Sequence, residues 1–300
     1  MIEVRNITKH YGSVKAVEDI SFDVNTGELF GFIGPDGSGK TTLFRILSTL
    51  ILADSGSATL DGLDVVRDFK KIRKMIGYMP GRFSLYLDLT VEENLNFYAT
   101  IFGSTLKKNY DLIRDIYSQI EPFRKRKAGK LSGGMKQKLA LSCALIHKPR
   151  ILILDEPTTG VDAVSRTEFW EMLKRLKESG ITIIVSTPYM DEAGLCDRVA
   201  LIQNGKILQI NRPGEVVAAF PFPLYSVKSD DIYRLIEEMK GLAGVRSAYA
   251  FGQVVHLALE KERAEPGWIR EALVRSGHRD IEIKKIRASI EDCFMELMAS

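Results

Sequence analysis

Residues 28–42 read ELFGFIGPDGSGKTT, and this stretch fixes the fold class of the 300-residue chain. Its apolar start is typical of a buried strand, and the continuation KTTLFRILSTL has the apolar spacing of a helix. The spacing between them fits G-x-x-x-x-G-K-[ST], a loop whose inward-turned N–H groups and following helix start bind phosphates. The predicted loop consists of Gly34, Pro35, Asp36, Gly37, Ser38, Gly39, Lys40 and Thr41, with Thr42 just beyond it.

The side chains of this loop predict how it holds a nucleotide. We expect the ammonium of Lys40 to reach the β- and γ-phosphates and the hydroxyl of Thr41 to bind Mg²⁺. Thr42 is expected to add a contact to the α-phosphate. Because the pattern and its strand–helix context are both met, an ordinary glycine turn is a poor alternative.

Two carboxylates follow another apolar run, ILILDEP at residues 151–157. At the end of a buried strand, Asp155 is placed to hold Mg²⁺ through water, and Glu156 to polarise an attacking water as the catalytic base. In isolation two acids after a strand would more often begin a solvated loop. Beside a phosphate loop, the catalytic interpretation is favoured.

The remaining periodicity predicts an α/β domain with a parallel core sheet. A third apolar run, ITIIVST at 181–187, is separated from the carboxylate strand by an amphipathic stretch at 163–180 that ends on glycine. Residues 2–24 alternate in polarity and predict an antiparallel strand layer. The pattern from Thr90 to Ile120 is almost entirely helical and predicts a helical insert, with bounds of about 85–147.

A second, smaller α+β domain is expected after the sequence FPFP at 220–223, because closely spaced prolines exclude regular structure. The expected domains are therefore residues 1–219 and 220–300. The second domain has the order strand, helix, strand, strand, helix, strand and then a last helix, which is a ferredoxin-like βαββαβ unit. We expect it to serve as an accessory or dimerisation domain.

Composition excludes several classes of function. Net charge is +3, from 42 basic and 39 acidic residues, so no strong field points to nucleic acid or lipid. The basic run at 124–127 lacks interleaved aromatics and is interpreted as a solvated loop, so no nucleic-acid partner is expected. Three scattered cysteines, a charged N-terminus and the lack of a membrane-spanning apolar run predict a cytoplasmic protein whose membrane role comes through a partner.

Between the phosphate loop and the carboxylate strand lies the sequence LSGGMKQ, residues 131–137. With it, the chain resembles the ATP-binding subunits of ABC transporters from Met1 to about Pro213. In that family two such domains meet head to tail, and each ATP lies between one chain's phosphate loop and the other's LSGG. The resemblance implies that Ser132 and Gly134 touch the γ-phosphate of a partner's ATP. The whole signature comprises Leu131, Ser132, Gly133 and Gly134.

Other positions match the family in order. Tyr11 falls where the family stacks an aromatic ring on adenine, although a half-buried strand tyrosine is the alternative. Asp162 falls in the loop that communicates across the dimer, although it is equally suited to cap the next helix. The terminal sequence ASIEDCFMELM resembles the last helix of the ABC-2 type, usually exporters of drug-like, lipid or polymeric substrates.

Two positions depart from the family pattern. Gly81 stands where the family places a glutamine that helps to coordinate Mg²⁺ and senses the transmembrane partner. Pro188 stands where the family places a histidine that contacts the γ-phosphate, and proline offers neither a side-chain donor nor an N–H. We expect MgATP to bind while the chain's own catalytic shell is incomplete. The alternative is that both changes are tolerated, since Glu156 is intact.

The predicted function is therefore that of an ABC-type ATPase, the ATP-binding subunit of an export complex on the inner face of the cell membrane. Its expected partners are a transmembrane permease subunit and a second ATP-binding subunit, with a heterodimer favoured and a homodimer possible. The surface at residues 81–94 is expected to dock the permease through Phe83, Leu85, Tyr86 and Leu87, and a core role for half of these side chains is the alternative. A soluble ABC protein that acts on nucleic acid or translation is the alternative, but it would usually carry two ABC units or a long coiled-coil insertion.

Overall fold

The structure is a computed structural model that describes residues 1–261 and 265–299. The chain divides into two compact units, Met1–Arg212 and Pro213–Ser300. In the described part of the chain, no helix combines the length and the apolar character that crossing a bilayer requires.

The first unit combines helices and strands, as the sequence predicts. They are β1 (Ile2–Tyr11), β2 (Val14–Val24), β3 (Leu29–Ile33), α1 (Lys40–Leu47), β4 (Ser55–Leu60), β5 (Leu63–Asp64), α2 (Phe69–Met75), β6 (Ile76–Met79), α3 (Val91–Ile101), α4 (Leu106–Tyr117), α5 (Gly133–Leu145), β7 (Ile151–Asp155), α6 (Ala163–Glu178), β8 (Thr182–Thr187), β9 (Arg198–Gln203) and β10 (Lys206–Asn211).

A six-stranded sheet in the order β10-β9-β3-β8-β7-β6 forms the centre of this unit. Strands β3, β7 and β8 are buried at every residue, which is typical of parallel strands covered on both faces. Their pairing is parallel, so the predicted core sheet is confirmed, and β10 adds an antiparallel edge. The register pairs Asp155 with Ser186 and Ile33 with Thr187. The ends of these three strands therefore meet beside the phosphate loop.

A second sheet, β2-β1-β4-β5, is antiparallel throughout and confirms the strand layer expected over residues 2–24. Four phenylalanine rings pack between the layers, with neighbouring ring centres 4.9 to 5.8 Å apart. They are Phe22 of β2, Phe30 and Phe32 of β3, and Phe44 of α1. This cluster joins the strand and the helix that flank the phosphate loop to the second sheet.

Helices α3, α4 and α5 pack against one another and form the helical insert. Their starts follow from local sequence. Thr90 caps α3 in a reciprocal capping box with Glu93, and Ser132 caps α5 by accepting a hydrogen bond from the N–H of Met135 at 3.3 Å. The first turn of α5 thus begins inside the LSGG sequence.

The second unit contains the predicted βαββαβ order. Its elements are α7 (Pro213–Ala218), β11 (Leu224–Lys228), α8 (Ile232–Lys240), β12 (Val245–Phe251), β13 (Val254–Leu259), α9 (Gly267–Arg275), β14 (Glu282–Ile286) and α10 (Ile290–Ala299). The sheet order is β12-β13-β11-β14, with antiparallel pairs. The unit begins before the boundary expected at residue 220, because α7 packs on α10, where the thiol of Cys293 donates to the Val216 carbonyl at 3.4 Å.

Candidate nucleotide site

The backbone of the phosphate loop fits so closely between its neighbours that two of its glycines have no room for a side chain. A Cβ on Gly34 would lie 2.1 Å from the carbonyl oxygen of Ile202. Gly39 has φ +103°, and a Cβ there would lie 2.2 Å from the carbonyl oxygen of Ala16. Both the left-handed conformation and the close approach require glycine. The loop shape is therefore set by strands β2 and β9 as well as by its own sequence.

Lys40 begins helix α1 with its ammonium turned back into the loop. Its side chain is 2% exposed, and Nζ donates to the carbonyl oxygens of Gly34 at 2.7 Å and Pro35 at 2.9 Å. Nζ also lies 3.4 Å from Oε1 of Glu156. Burial lowers the pKa of Lys40, and the charge of Glu156 opposes that shift. The loop thus holds a desolvated cation that a phosphate group would stabilise.

Thr41 and Asp155 meet at the end of β7. The Thr41 hydroxyl donates to Oδ1 of Asp155 at 3.1 Å, and the Ser186 hydroxyl donates to the same oxygen at 2.8 Å. Asp155 is buried. Burial, assisted by the charge of Asp155, raises the pKa of the nearby Tyr78 to about 12. Hydroxyl and carboxylate oxygens are the ligands that Mg²⁺ prefers, so this pair fits such an ion.

Glu156 occupies a strained turn directly after the strand. Its φ is +49°, in the left-handed region that non-glycine residues seldom adopt. The N–H of Glu156 donates to the carbonyl and hydroxyl oxygens of Ser186 at 3.1 and 3.0 Å, which holds the turn. Its side chain is 21% exposed, so the carboxylate that faces Lys40 is not sealed from water. This arrangement suits a general base.

The two departing positions flank these carboxylates. Gly81 is exposed, and a Cβ there would lie 3.1 Å from the carbonyl oxygen of Asp155 and 3.7 Å from Cβ of Glu156, so a side chain at this position would press on the carboxylate turn. Pro188 follows the last residue of β8, where the Tyr189 N–H donates to the Thr187 hydroxyl at 3.1 Å. The turn at Pro188 is therefore held without any bond from Pro188.

The signature residues lie at the start of α5, next to α6. Ser132 and Gly133 are exposed, while Gly134 is buried, and a Cβ there would lie 2.6 Å from Oγ of Ser165 in α6. Leu131 packs in the core. Asp162 caps α6 by accepting from the Ser165 N–H at 3.0 Å. The signature and the Asp162 loop thus form one surface.

Two further residues that are expected to contact the nucleotide, Tyr11 and Thr42, are less buried. Tyr11 ends β1 with 46% of its surface exposed, and Nζ of Lys9 lies 5.9 Å from its ring centre. An exposed ring is available for stacking, as the adenine expectation requires. Thr42 is half-buried in the first turn of α1. Pro35, Asp36, Gly37 and Ser38 complete the loop, and Ser38 is buried.

A cavity of about 300 Å³ opens between the core and the helical insert, next to Gly81. Met79, Pro80, Phe83 and Leu85 line one side, and Gln137 of α5 lines the other. Of the apolar side chains expected to dock a partner, Leu85 is buried and Phe83 half-buried, whereas two are about half exposed. The exposed ones are Tyr86 and Leu87.

Sequence reasoning missed the groups behind the carboxylates. Ser186 bonds both Asp155 and the backbone of Glu156, and Glu192 collects donors from Thr158, Thr187 and Arg166. The role of Ser186 could have been predicted, because it lies near the end of a buried strand that pairs with the strand of Asp155. The partners of Glu192 come from three separate segments, which a single sequence does not connect.

Known proteins resemble this chain in sequence and structure. Residues 17–159 match the family model described as ABC transporter. The probable multidrug ABC transporter ATP-binding protein YbhF of Escherichia coli (strain K12) is 39% identical over 289 residues, which are 94% of this chain and 49% of that protein. The chain thus spans about half the length of that relative. The linearmycin resistance ATP-binding protein LnrL of Bacillus subtilis (strain 168) is 39% identical over 214 residues, 70% of this chain and 68% of LnrL.

Two further comparisons extend this result. The Nod factor export ATP-binding protein I of Burkholderia lata is 37% identical over 219 residues, 72% of each chain. The dimeric, post-hydrolysis structure of the ATP-binding cassette MJ0796 bound to ADP and Pi superposes with a TM-score of 0.65 at 26% identity. It covers 71% of this chain and 98% of MJ0796.

Proposed function

The chain belongs to the ABC transporter family of ATP-binding proteins, and from that membership we propose that it is the ATP-binding subunit of an exporter. The observation that carries the proposal is the convergence of Lys40, Thr41, Asp155 and Glu156 at one edge of the central sheet. Phosphoryl transfer to water needs three kinds of group: a cation for the phosphates, oxygen ligands for the metal ion and a carboxylate that water can reach. The buried ammonium, the hydroxyl–carboxylate pair and the partly exposed Glu156 supply them.

The roles follow from where each group lies. The ammonium of Lys40 would exchange its carbonyl partners for the β- and γ-phosphates, and the loop N–H groups would hold the remaining oxygens. Thr41 and Asp155 would hold Mg²⁺, which when bound neutralises charge on the phosphates. Glu156 would leave Lys40 as the phosphate enters and would accept a proton from the attacking water.

We further propose that this site binds ATP well and turns it over slowly. Gly81 has no side-chain oxygen to bind Mg²⁺ and Pro188 has no side-chain donor for the γ-phosphate, so neither residue supplies the group that the family pattern has at its position. A positioned donor to the transition state contributes roughly 10²–10³ in rate. Glu156 remains in place, so slow hydrolysis is expected rather than none.

The intact signature suits a head-to-tail dimer. Ser132 is exposed at the start of α5, where a γ-phosphate from a second chain would meet the N-terminal end of the helix. Gly134, which was expected to share this contact, is buried against Ser165 and would contribute only its backbone N–H. A heterodimer with a complete ATP-binding subunit would place one active site on this signature. Two copies of this chain would instead create two weak sites. Dimeric assembly is described for the related cassette MJ0796.

The membrane partner would dock on the cavity beside Gly81. Its apolar lining, with Tyr86 and Leu87 exposed nearby, suits an apolar segment of a permease, which would place the chain on the inner face of the membrane. The names of YbhF and the Nod factor protein concern multidrug transport and Nod factor export, which supports export here.

A cross-linking experiment tests this function. Ser84 lines the cavity and is exposed, so Ser84→Cys should cross-link to a membrane protein in native membranes. The natural cysteines should not interfere, because all three are buried and burial raises the pKa of their thiols. A cysteine at the exposed Ser179, at the end of α6, is the matched control. Capture of soluble proteins alone by Ser84→Cys would refute the docking surface.

A further inference from the structure

A buried carboxylate that the proposed reaction does not use lies behind the nucleotide site. Glu192, in the short helical segment Met190–Leu195, is 2% exposed. Burial of a charged carboxylate is unfavourable unless donors and an opposite charge surround it. Its partners therefore show which parts of the chain it joins.

Three donors from separate segments converge on Glu192. The Thr158 hydroxyl donates to both carboxylate oxygens, at 2.9 and 3.2 Å. The Thr187 hydroxyl donates to Oε2, and Nε of Arg166 donates to Oε1 at 3.1 Å. The arginine is itself held, because its guanidinium lies 4.1 Å from the ring centre of Tyr189.

Each donor belongs to a different part of the site. Thr158 follows the catalytic base by two residues, in the loop where the Thr159 N–H donates to the Glu156 carbonyl at 3.2 Å. Thr187 directly precedes Pro188. Arg166 lies in the first turn of α6, and its N–H donates to the Asp162 carbonyl at 2.9 Å.

We infer that Glu192 is a positioning residue that joins the loop of Glu156, the turn at Pro188 and the start of α6 into one rigid unit. Within residues 1–212 no hydrogen bond joins Glu192 to the phosphate loop, so it acts only through other residues. A second chain that presses on Asp162 would shift the base through Arg166, Glu192 and Thr158. The role as a positioning residue rests on the proposed function, because only an ATPase has a base to position.

The first test measures hydrogen exchange and needs no turnover. Glu192→Gln removes the charge but keeps the shape. Loss of charged hydrogen bonds should speed amide exchange about tenfold in three segments together, 157–161, 163–167 and 187–190. Thr100→Val, outside the three segments, is the control, because the Thr100 hydroxyl bonds the Asn96 carbonyl of its own helix. Faster exchange confined to residues 190–195 would overturn the inference.

The second test separates positioning from stability. Thr158→Val should lower the single-turnover rate of ATP cleavage about tenfold with MgATP affinity unchanged, because a small displacement of the base affects chemistry and not phosphate binding. Thr158→Ser, which keeps the hydroxyl, should restore the rate to within about twofold. An unchanged rate in Thr158→Val would contradict the inference. If the unmodified chain binds no MgATP, the proposed function fails, while the exchange measurement still decides whether Glu192 joins the three segments.

Discussion

The two halves of the nucleotide site are built differently. The half that would hold phosphates is enclosed by backbone, since Gly34 and Gly39 touch carbonyl oxygens of neighbouring strands and Lys40 is buried. The half that would activate water consists of turns at strand ends, where Glu156 is partly exposed and Pro188 is bonded to nothing through its own side chain. A side chain at Gly34 or Gly39 would displace the neighbouring strands. The turn at Pro188 is instead held by hydrogen bonds of its neighbours.

This difference between the halves would allow a chain to bind ATP and yet hydrolyse it slowly. The turn at Pro188 is fixed by Thr187, Tyr189 and Glu192, so the fold does not depend on which residue occupies position 188. At Gly34 and Gly39 the phosphate loop leaves no room for a side chain, so the shape of the loop does depend on these residues. We therefore expect substitutions in the two halves to change binding and hydrolysis separately.

The largest expected effect comes from restoring the weaker half. Pro188→His, alone or with Gly81→Gln, should raise the ATPase rate of the isolated chain by up to roughly 10²–10³, the contribution of one positioned donor. Most of the gain should come from Pro188→His, because a side chain at Gly81 must displace the nearby Asp155 carbonyl by a few tenths of an ångström. Pro122→His, at an exposed site in the helical insert, is the control. Equal rates in parent and restored chains would show that the second half is not deficient.

The next effect tests the half that binds. Lys40→Met should weaken MgATP binding about a hundredfold, because charge-assisted bonds to phosphate are lost from a buried site. Calorimetric titration measures the change. Lys71→Met, which removes a largely exposed lysine, should leave the affinity unaltered. MgATP binding by Lys40→Met as tight as by the parent would show that the phosphate loop does not hold the nucleotide.

The smallest effect concerns stability without nucleotide. Burial lowers the pKa of Lys40, so its charged form opposes folding. The unfolded chain then binds more protons as pH approaches the ordinary lysine value of 10.5, and folding gains stability as pH rises. Nucleotide-free Lys40→Met should be as stable as the parent at neutral pH or up to about 1 kcal/mol more stable. Chemical denaturation should show that this difference in the free energy of unfolding shrinks at alkaline pH. A difference that stays constant with pH would mean that burial does not disfavour the charged form of Lys40.

The phosphate half could be predicted from sequence because its requirements are local. Glycine positions, a lysine and a strand–helix junction all lie within residues 28–42, and the structure places them as the pattern requires. The parallel pairing of the strands that carry Asp155 and Ser186 also followed from their buried apolar runs, but the register that sets these two residues side by side did not. Short sequence patterns were therefore enough to predict the phosphate half of the site.

The support behind Glu156 could not be predicted, because Glu192 gathers partners from residues 158, 166 and 187 through tertiary packing alone. The second unit also begins earlier than the sequence predicted, at residue 213 and not at residue 220. Prolines at 221 and 223 signal a break in regular structure, but the packing of α7 on α10 decides which unit residues 213–219 join. Side-chain contacts between distant segments have no signature in one sequence.

If its own site is incomplete, this chain holds ATP for longer than a complete site needs to cleave it. The test is to incubate the unmodified chain alone with labelled MgATP, isolate the protein and determine whether the bound nucleotide is ATP or ADP. We expect tight retention with the nucleotide mostly uncleaved, while Pro188→His converts it to ADP and Lys40→Met retains none. Cleavage of the bound nucleotide by the unmodified chain as fast as by Pro188→His would show that the site is complete.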